Sequence, residues 1–231
     1  MFCFCHPQWS LEDRTALARE LVDPSAVNAS RFPDVPSLPV AHTLRDGTRA
    51  RLRTMRPDES EAVYALFLQP SRAGRGYSVD ETLTLDAFTE WFLLDHYNIV
   101  WEEADSGRMI AFTSIGDEPC KRSSKAAGCD PLLVVRPEYY NRGIGGELVD
   151  ANDSFAVQLG YAVIRSDTPI VNHRMCDMIA RRGYSVVGVL PNCINIAGHG
   201  IVDVLCTYKN LKKTKPFVPR GGAGPPTGSK L

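Results

Sequence analysis

The sequence lacks any long apolar run, any excess of one charge and any regular cysteine framework. No hydrophobic stretch approaches the ~20 residues that a transmembrane helix needs. The 26 basic and 27 acidic residues nearly cancel, whereas surfaces that bind nucleic acid or membranes usually carry one dominant sign. We therefore predict a partner that is neither a nucleic acid nor a membrane.

The seven cysteines are odd in number and irregularly spaced. This pattern fits reduced thiols in an intracellular protein better than a disulfide framework. Cys3, Cys5 and His6 lie close together, but no second ligand pair at zinc-site spacing follows, so no metal is predicted. The apolar segment Met1–Trp9 has no preceding basic region, which argues against a secretory signal. The predicted location is the cytoplasm, with the mitochondrion and the nucleus as alternatives.

Composition divides the 231 residues into three regions. Residues 1–39 contain a possible helix, Ser10–Leu21, and then a loop rich in Pro, Ser and Asn; this extension is predicted to be partly helical or disordered. Residues 40–211 carry patterned apolar segments, enough for one domain of the usual ~100–200 residues. Residues 212–231 are rich in Pro, Gly and Lys and are predicted to be disordered.

Turn residues and apolar periodicity predict the elements of the central region. Asp46-Gly47 between two extended runs indicates a hairpin, and the continuous apolar run Leu132–Val135 indicates a buried central strand. Further strands are predicted over Asn98–Glu103, Met109–Ile115, Tyr161–Arg165, Val186–Leu190 and Val202–Tyr208, and helices after Asp58 and over Leu85–Asp95, Ile144–Leu159 and Asn172–Arg182. This order predicts an α/β (α+β) fold, a mixed sheet with helices on both faces.

A glycine-rich turn follows the Leu132–Val135 strand. Pro137 stops strand pairing because it lacks an amide, and glycines stand at 143, 145 and 146, where the next helix begins. The first amides of a helix have no internal partner and, with the helix dipole, form an anion site. A pyrophosphate would fit against the amides of Asn141–Gly146, with Arg142 adding charge-assisted contacts. A turn of this kind also occurs where a helix simply packs closely on a strand.

This segment resembles the GCN5-related N-acetyltransferase (GNAT) family. That family carries a Val-x-Pro step and then Gln/Arg-x-x-Gly-x-Gly/Ala. Val135-Arg136-Pro137 and Gly143-Ile144-Gly145 match, and Tyr140 stands where Gln or Arg is usual. A second family pattern is matched by Asn172 and Gly183-Tyr184, with Ile179 at the position of the tyrosine that usually protonates the departing thiolate.

The downstream region also resembles one branch, the yeast azetidine-2-carboxylate (proline-analogue) N-acetyltransferase type. The matching features are Leu159-Gly160-Tyr161, Asn172, Gly188, Pro191, Asp203 and Lys209-Asn210-Leu211.

The resemblance implies a mostly antiparallel sheet of about seven strands with a splayed strand pair. It implies acetyl-CoA as co-substrate, no metal, a small-molecule amine as acceptor, and a monomer or homodimer. The implied cofactor-binding residues are Leu133, Val134, Val135, Tyr140, Asn141, Arg142, Gly143, Ile144, Gly145, Gly146 and Asn172. Asn172 fits a helix N-cap equally well.

By this resemblance the amine attacks the thioester directly, so the site needs a base, an oxyanion donor and an acid rather than a nucleophile. The predicted base is Asp130, which also fits a solvated charge at a strand edge, and the alternatives are Asp117 and Glu118. A backbone amide near Val134 is the predicted oxyanion donor.

The candidates for the acid are Tyr208, Cys176 and His173. Two other functions stay open. The acceptor could be a protein or peptide amine, and the chain could be a non-catalytic CoA-binding protein, since Tyr140 and Ile179 both depart from the family pattern.

Overall fold

The computed structural model describes residues 38–77, 82–117 and 128–221. Its strands are β1 Val40–Thr43, β2 Arg49–Thr54, β3 Tyr97–Glu103, β4 Met109–Asp117, β5 Gly128–Val135, β6 Val163–Pro169, β7 Ser185–Ile196 and β8 Gly200–Asn210. They form one sheet in the order β1-β2-β3-β4-β5-β6-β8-β7. Among these strands only β5 and β6 pair in parallel, which makes the sheet mixed and mostly antiparallel.

Within the described residues four α-helices accompany the sheet, and their bounds are α1 Ser60–Arg72, α2 Leu85–Phe88, α3 Ile144–Gln158 and α4 His173–Ala180. The helix predicted over Leu85–Asp95 is divided, because α2 continues as a π-helical turn, Thr89–Leu93. There the amide of Leu94 donates to the carbonyl of Thr89, five residues back, at 2.9 Å. None of the described helices is long and apolar enough to cross a membrane.

The predicted fold class is confirmed, with eight strands where about seven were expected. Both strands of the predicted Asp46-Gly47 hairpin, β1 and β2, join the sheet. The predicted N-terminal helix, Ser10–Leu21, lies outside the described residues.

Two apolar cores lie on opposite faces of the sheet. Helix α3 packs on one face, with Leu148 and Phe155 against strand residues such as Trp101 and Ile164. Helices α1 and α2 pack on the other face, where Phe67 and Phe88 meet Phe112 and Val134. Successive residues of a strand point to opposite faces, so the side chains of the central strands alternate between the α3 face and the α1/α2 face.

The chain after β8, predicted from its composition to be disordered, contacts the domain at Phe217 and Arg220 in the structure. The ring of Phe217 lies 5.0 Å from His42 and 6.1 Å from Trp101, measured between ring centroids. Its amide donates to Ser154 Oγ at 2.8 Å. Composition indicates disorder because apolar residues are few here, whereas the contacts of the segment come from one aromatic ring and from the hydrogen bonds of Arg220. Residues 222–231 lie outside the described part of the chain.

We expect Phe217→Ala to lower the free energy of unfolding by about 2 kcal/mol. Complete removal of a buried aromatic ring costs roughly 3–5 kcal/mol, and Phe217 is only half-buried. Urea unfolding measures the change, and Val218→Ala is the matched control because Val218 is 76% exposed. The control should stay within about 0.5 kcal/mol of the unaltered protein; equal losses in the two variants would contradict the packing described.

A buried polar group joins this segment to the first turn of α3. The Nε2 atom of His42 lies 2.7 Å from Glu147 Oε2, and a guanidinium nitrogen of Arg220 lies 2.6 Å from the same oxygen. The amide of Arg220 donates to His42 Nδ1 at 3.0 Å. In this arrangement the neutral imidazole carries its proton on Nε2 and donates it to Glu147.

Burial lowers the pKa of His42 below its usual 6.5, against the opposing hydrogen bond to Glu147. Below that pH the unfolded chain takes up the proton first, so the contribution of His42 to stability is complete above about pH 6.5 and is lost as the pH falls. We expect the stability gap between the unaltered protein and His42→Gln to narrow between about pH 8 and about pH 5.5. Urea unfolding at both values tests this, and a constant gap would contradict it. The charged groups that face His42, Glu147 and Arg220, are the same in both proteins.

Candidate active site

Strands β5 and β6 separate soon after they begin to pair. Their parallel pairing covers only Gly128 with Val163 and Cys129 with Ile164. In this register the next inter-strand donor would be the amide of residue 131, aimed at the carbonyl of Arg165. Residue 131 is proline and has no amide. The splay predicted for this strand pair is thus confirmed, and Pro131 gives a local physical reason for the point at which it starts.

The cleft between β5 and β6 is lined by backbone. The amide of Arg136 donates to the carbonyl of Ile110 at 2.8 Å, and hydrogen-bonded residues alternate along an antiparallel pair. The backbone of Val134 therefore pairs with β4, whereas the backbone groups of Leu133 and Val135 face the cleft. The oxyanion donor predicted near Val134 stays a prediction, and the amides next to Val134 that face the cleft belong to Leu133 and Val135.

The glycine-rich loop after β5 presents its main chain outward. Asn141 and Gly143 both have positive φ, 65° and 80°, and Gly143 is the N-cap of α3. Within the described part of the chain, no hydrogen bond engages the amides from Asn141 to Gly146. The start of α3 is therefore an open row of N–H donors beside the cleft, as the sequence predicted.

Not every glycine of the loop is there for close approach to a ligand. A Cβ on Gly146 would lie 2.3 Å from the guanidinium of Arg182, which donates to the carbonyl of Gly146 at 3.2 Å. A Cβ on Gly145 would meet Met178 at 3.5 Å, an ordinary contact. The side chain of Ile144 is buried in the core. For these three residues only the main chain is available to a cofactor.

Basic side chains surround the loop. Arg142 donates to the carbonyl of Glu138 at 2.8 Å, and the guanidinium of Arg75 lies 6.0 Å from the ring centre of Tyr140. Arg174 donates to the side chain of Asn141, and Arg45 lies along Gly143, with its Cδ 3.4 Å from where a Cβ would stand. Sequence reasoning found only Arg142, because Arg45, Arg75 and Arg174 come from other elements and share no local motif with the loop.

Both polar atoms of the Asn172 side-chain amide make hydrogen bonds to the backbone. Its Oδ1 accepts from the amide of Met175 at 3.2 Å and caps α4, and its Nδ2 donates to the carbonyl of Gly76 at 3.3 Å. The N-cap alternative is therefore confirmed, and the second bond ties α4 to the segment that follows α1.

That segment, residues 73–77, bridges the wide end of the cleft. A Cβ on Gly74 would lie 2.2 Å from the carbonyl oxygen of Ala197, in the β7–β8 turn. A Cβ on Gly76, where φ is +72°, would lie 2.9 Å from Asn172 Cβ. These two glycines allow close backbone approach, so that the α1–α2 connection and the β7–β8 turn meet across the opening.

Helix α4 offers few proton donors towards the cleft. Ile179, at the position of the usual tyrosine, is 1% exposed and belongs to the core. Cys176 is half-buried, and burial raises the pKa of its thiol, so it keeps its proton at neutral pH. His173 lies exposed in the first turn.

The α1/α2 face of the cleft carries a group of polar side chains on β5, β6 and β8. Arg165 Nη2 lies 2.5 Å from Asp167 Oδ2. Burial, with a hydrogen bond to Asp167, raises the pKa of the Cys206 thiol to about 11. Tyr208 stands beside Arg165 across the β6–β8 pair. Asp130 follows the last paired residue of β5 and so lies at the narrow end of the cleft.

Asp167 is the carboxylate that sequence reasoning missed. Continuing the parallel register places it across the cleft from Leu132 and Leu133, at the level of the open backbone groups. The predicted strand, Tyr161–Arg165, ended before Asp167. Pairing with β8 extends the strand to Pro169. Of the alternative bases, Asp117 accepts from the Tyr161 hydroxyl at 2.7 Å, and Glu118 lies outside the described residues.

The acetyltransferase (GNAT) family model matches residues 60–184, more than half of the chain. The chain belongs to the GNAT acetyltransferase family. The match contains the splayed pair, the glycine-rich loop and α4. It ends before β7 and before β8, the strand that carries Cys206 and Tyr208. No curated protein matches the chain.

Solved structures of GNAT proteins share the fold at low sequence identity. A GCN5-related N-acetyltransferase from Kribbella flavida is 20% identical, with a TM-score of 0.60 over 70% of this chain and 97% of that one. The yncA protein of Salmonella typhimurium, solved with acetyl-CoA, is 17% identical, with a TM-score of 0.60 over 74% and 98%. Spermidine N-acetyltransferase from Vibrio cholerae, solved with CoA and spermine, is 16% identical, with a TM-score of 0.58 over 71% and 97%. None of these matches distinguishes a branch of the family, so the resemblance to the yeast azetidine-2-carboxylate type stays a prediction.

Proposed function

We propose that this GNAT protein transfers an acetyl group from acetyl-CoA to a primary or secondary amine of a small molecule. The observation that carries the proposal is a cleft lined by backbone groups beside an open row of helix-start amides. Acetyl-CoA, when bound, supplies the thioester that the amine attacks. No residue of the chain has to form a covalent intermediate.

The residues present fit an extended anionic cofactor. The amides from Asn141 to Gly146 and the side chains of Arg142 and Arg45 would hold the diphosphate, since backbone donors at a helix start with nearby guanidinium groups are suited to phosphate. Leu133 and Val135 would pair with the pantetheine arm as a neighbouring strand would. Tyr140 departs from the family pattern, but the loop acts chiefly through its main chain.

The choice of a small acceptor is supported by the wide end of the cleft, which residues 73–77 bridge. A peptide needs an open groove, whereas a metabolite needs an enclosed pocket. Residues 73–77 meet the β7–β8 turn across the opening, and this contact narrows the path that a polypeptide would take.

The chain's own groups can perform the three proton and charge tasks. Asp167 would receive the proton of the amine, with Asp130 as the alternative at the narrow end. The amide of Leu133 or Val135 would donate to the developing oxyanion. Cys176 would protonate the departing thiolate, and Tyr208 lies on the acceptor face near Arg165, where it would contact the amine substrate.

A second function, binding of CoA without catalysis, is favoured by one observation. Ile179 is buried at the position of the usual acid. A thiol such as CoA has a pKa near 8.5, however, so water or Cys176 could protonate it without a tyrosine.

Calorimetry with CoA, followed by measurement of thiol release over a panel of small amines and short peptides, tests the proposal. We expect CoA to bind and at least one small amine to accelerate thiol release. Turnover with peptides alone would favour a protein acceptor, and binding without turnover would favour the non-catalytic function. A protein that does not bind CoA would overturn all three.

A further inference from the structure

The segment of residues 214–221, here called the C-terminal strap, runs beside β1 and the start of α3. The amide of Thr43 donates to the carbonyl of Arg220 at 2.7 Å, and Arg220 Nε donates to the carbonyl of Thr43 at 2.9 Å. With Phe217 in its aromatic contacts, these bonds fix the backbone at both ends of the strap. The guanidinium of Arg220 is thereby held at one place, over Glu147.

Glu147 lies one helical turn after Gly143, roughly 6 Å along the axis of α3. Its side chain is 3% exposed. The Arg220 and His42 side chains and the amide of Arg45 all donate to its carboxylate, and these bonds, led by that from Arg220, outweigh burial and lower the pKa of Glu147. A buried negative charge therefore stands directly behind the amides that would hold a diphosphate.

Arg45 lies between this charge and the loop. Its Nε is 3.7 Å from Glu147 Oε1, a long ion pair, and 60% of its side chain is exposed. Its Cδ also lies along Gly143. The guanidinium can therefore turn either to Glu147 or to an anion at the loop. While Arg220 is paired with Glu147, Glu147 competes less with an anion at the loop for the guanidinium of Arg45.

We propose that the C-terminal strap is a positioning part of the cofactor site, in which Arg220 compensates the charge of Glu147 and leaves Arg45 available to the diphosphate of CoA. The inference rests on the proposed function. It deepens that function by assigning cofactor affinity to residues outside the family match and far from the glycine-rich loop in sequence.

Calorimetry of CoA binding to the full chain and to Arg220→Gln, Glu147→Gln and the double variant tests the proposal. Arg220→Gln should weaken binding about tenfold, the scale of one charge pair across roughly 10 Å at an effective dielectric constant of 20. Arg220→Lys, which keeps the charge, should lose less. Glu147→Gln should bind CoA at least as tightly as the unaltered protein, and adding it to Arg220→Gln should restore affinity.

A merely structural strap gives different results. In that case Glu147→Gln would also weaken binding, because it breaks the same contacts, and the double variant would be the weakest. Either result would overturn the proposal, as would unchanged affinity in Arg220→Gln. If Arg220→Gln does not fold, the sign of the Glu147→Gln effect still decides. An unaltered protein that does not bind CoA would overturn the proposed function together with this one, whereas normal binding by every variant would overturn this one alone.

Discussion

Gly143→Asp should weaken CoA binding by a hundredfold or more. The variant adds a negative charge at the N-cap of α3, where φ is +80°. At roughly 5 Å from a phosphate charge and an effective dielectric constant of 20, the repulsion is about 3 kcal/mol. The left-handed backbone adds a strain of about 1 kcal/mol for a residue with a side chain. Calorimetry with CoA measures the loss.

Gly160→Asp is the matched control for this variant. Gly160 follows the other end of α3, has φ of +89° and would place a Cβ in open space. The same strain and the same charge are introduced, but far from the loop. We expect lower stability with CoA affinity kept within about twofold. If both variants bind CoA like the unaltered protein, the placement of the cofactor at the start of α3 is wrong.

Asp167→Asn should lower kcat about a hundredfold and leave the KM for acetyl-CoA nearly unchanged. A positioned base typically contributes 10²–10⁴-fold, and Asp167 faces the acceptor side rather than the phosphate loop. Steady-state rates of thiol release measure kcat and KM, and unchanged CoA affinity shows that the cleft is intact.

Asp130→Asn distinguishes between the two candidate carboxylates. Asp130 stands at the narrow end of the cleft, next to the last paired residues of β5 and β6. We expect its loss to cost less than about tenfold in kcat. If Asp130→Asn is the more damaging of the two, the base is the residue indicated by the sequence and Asp167 only holds Arg165.

The conformation of the glycine-rich loop could be predicted from the sequence because it depends on residues within the loop itself. Gly143 must adopt positive φ, and Pro137 ends the strand, so the residue types alone indicate the backbone conformation of the loop. The central strand before the loop could likewise be predicted from its continuous apolar run. The buried Ile179 could be identified because it stands at a fixed distance from Asn172 within one helix.

The proposed acceptor face could not be predicted from the sequence, because it is formed by strands that pair although they are far apart in the chain. Asp167 belongs to a strand only through its ladder with β8, and Cys206 reaches it from that same partner. Arg45 and Arg75 come to the loop from a hairpin and from the end of a helix, far away in sequence. The contacts of the strap could not be predicted for a different reason, since composition averages over a segment whereas two residues, Phe217 and Arg220, make these contacts.

The two prolines of the splayed pair affect how β5 and β6 pair with each other before the proposed cofactor binds. Pro131 on β5 and Pro169 on β6 both stand where an amide would point across the cleft, given the bonds of Arg136 to Ile110 and of Ile170 to Asp203. Each strand therefore lacks one amide donor of a continuous β5–β6 ladder, while the amides of Leu133 and Val135 still face the cleft. Acetyl-CoA does not have to displace inter-strand hydrogen bonds in the splayed part of the cleft when it binds. Its association rate should therefore depend on encounter and orientation alone.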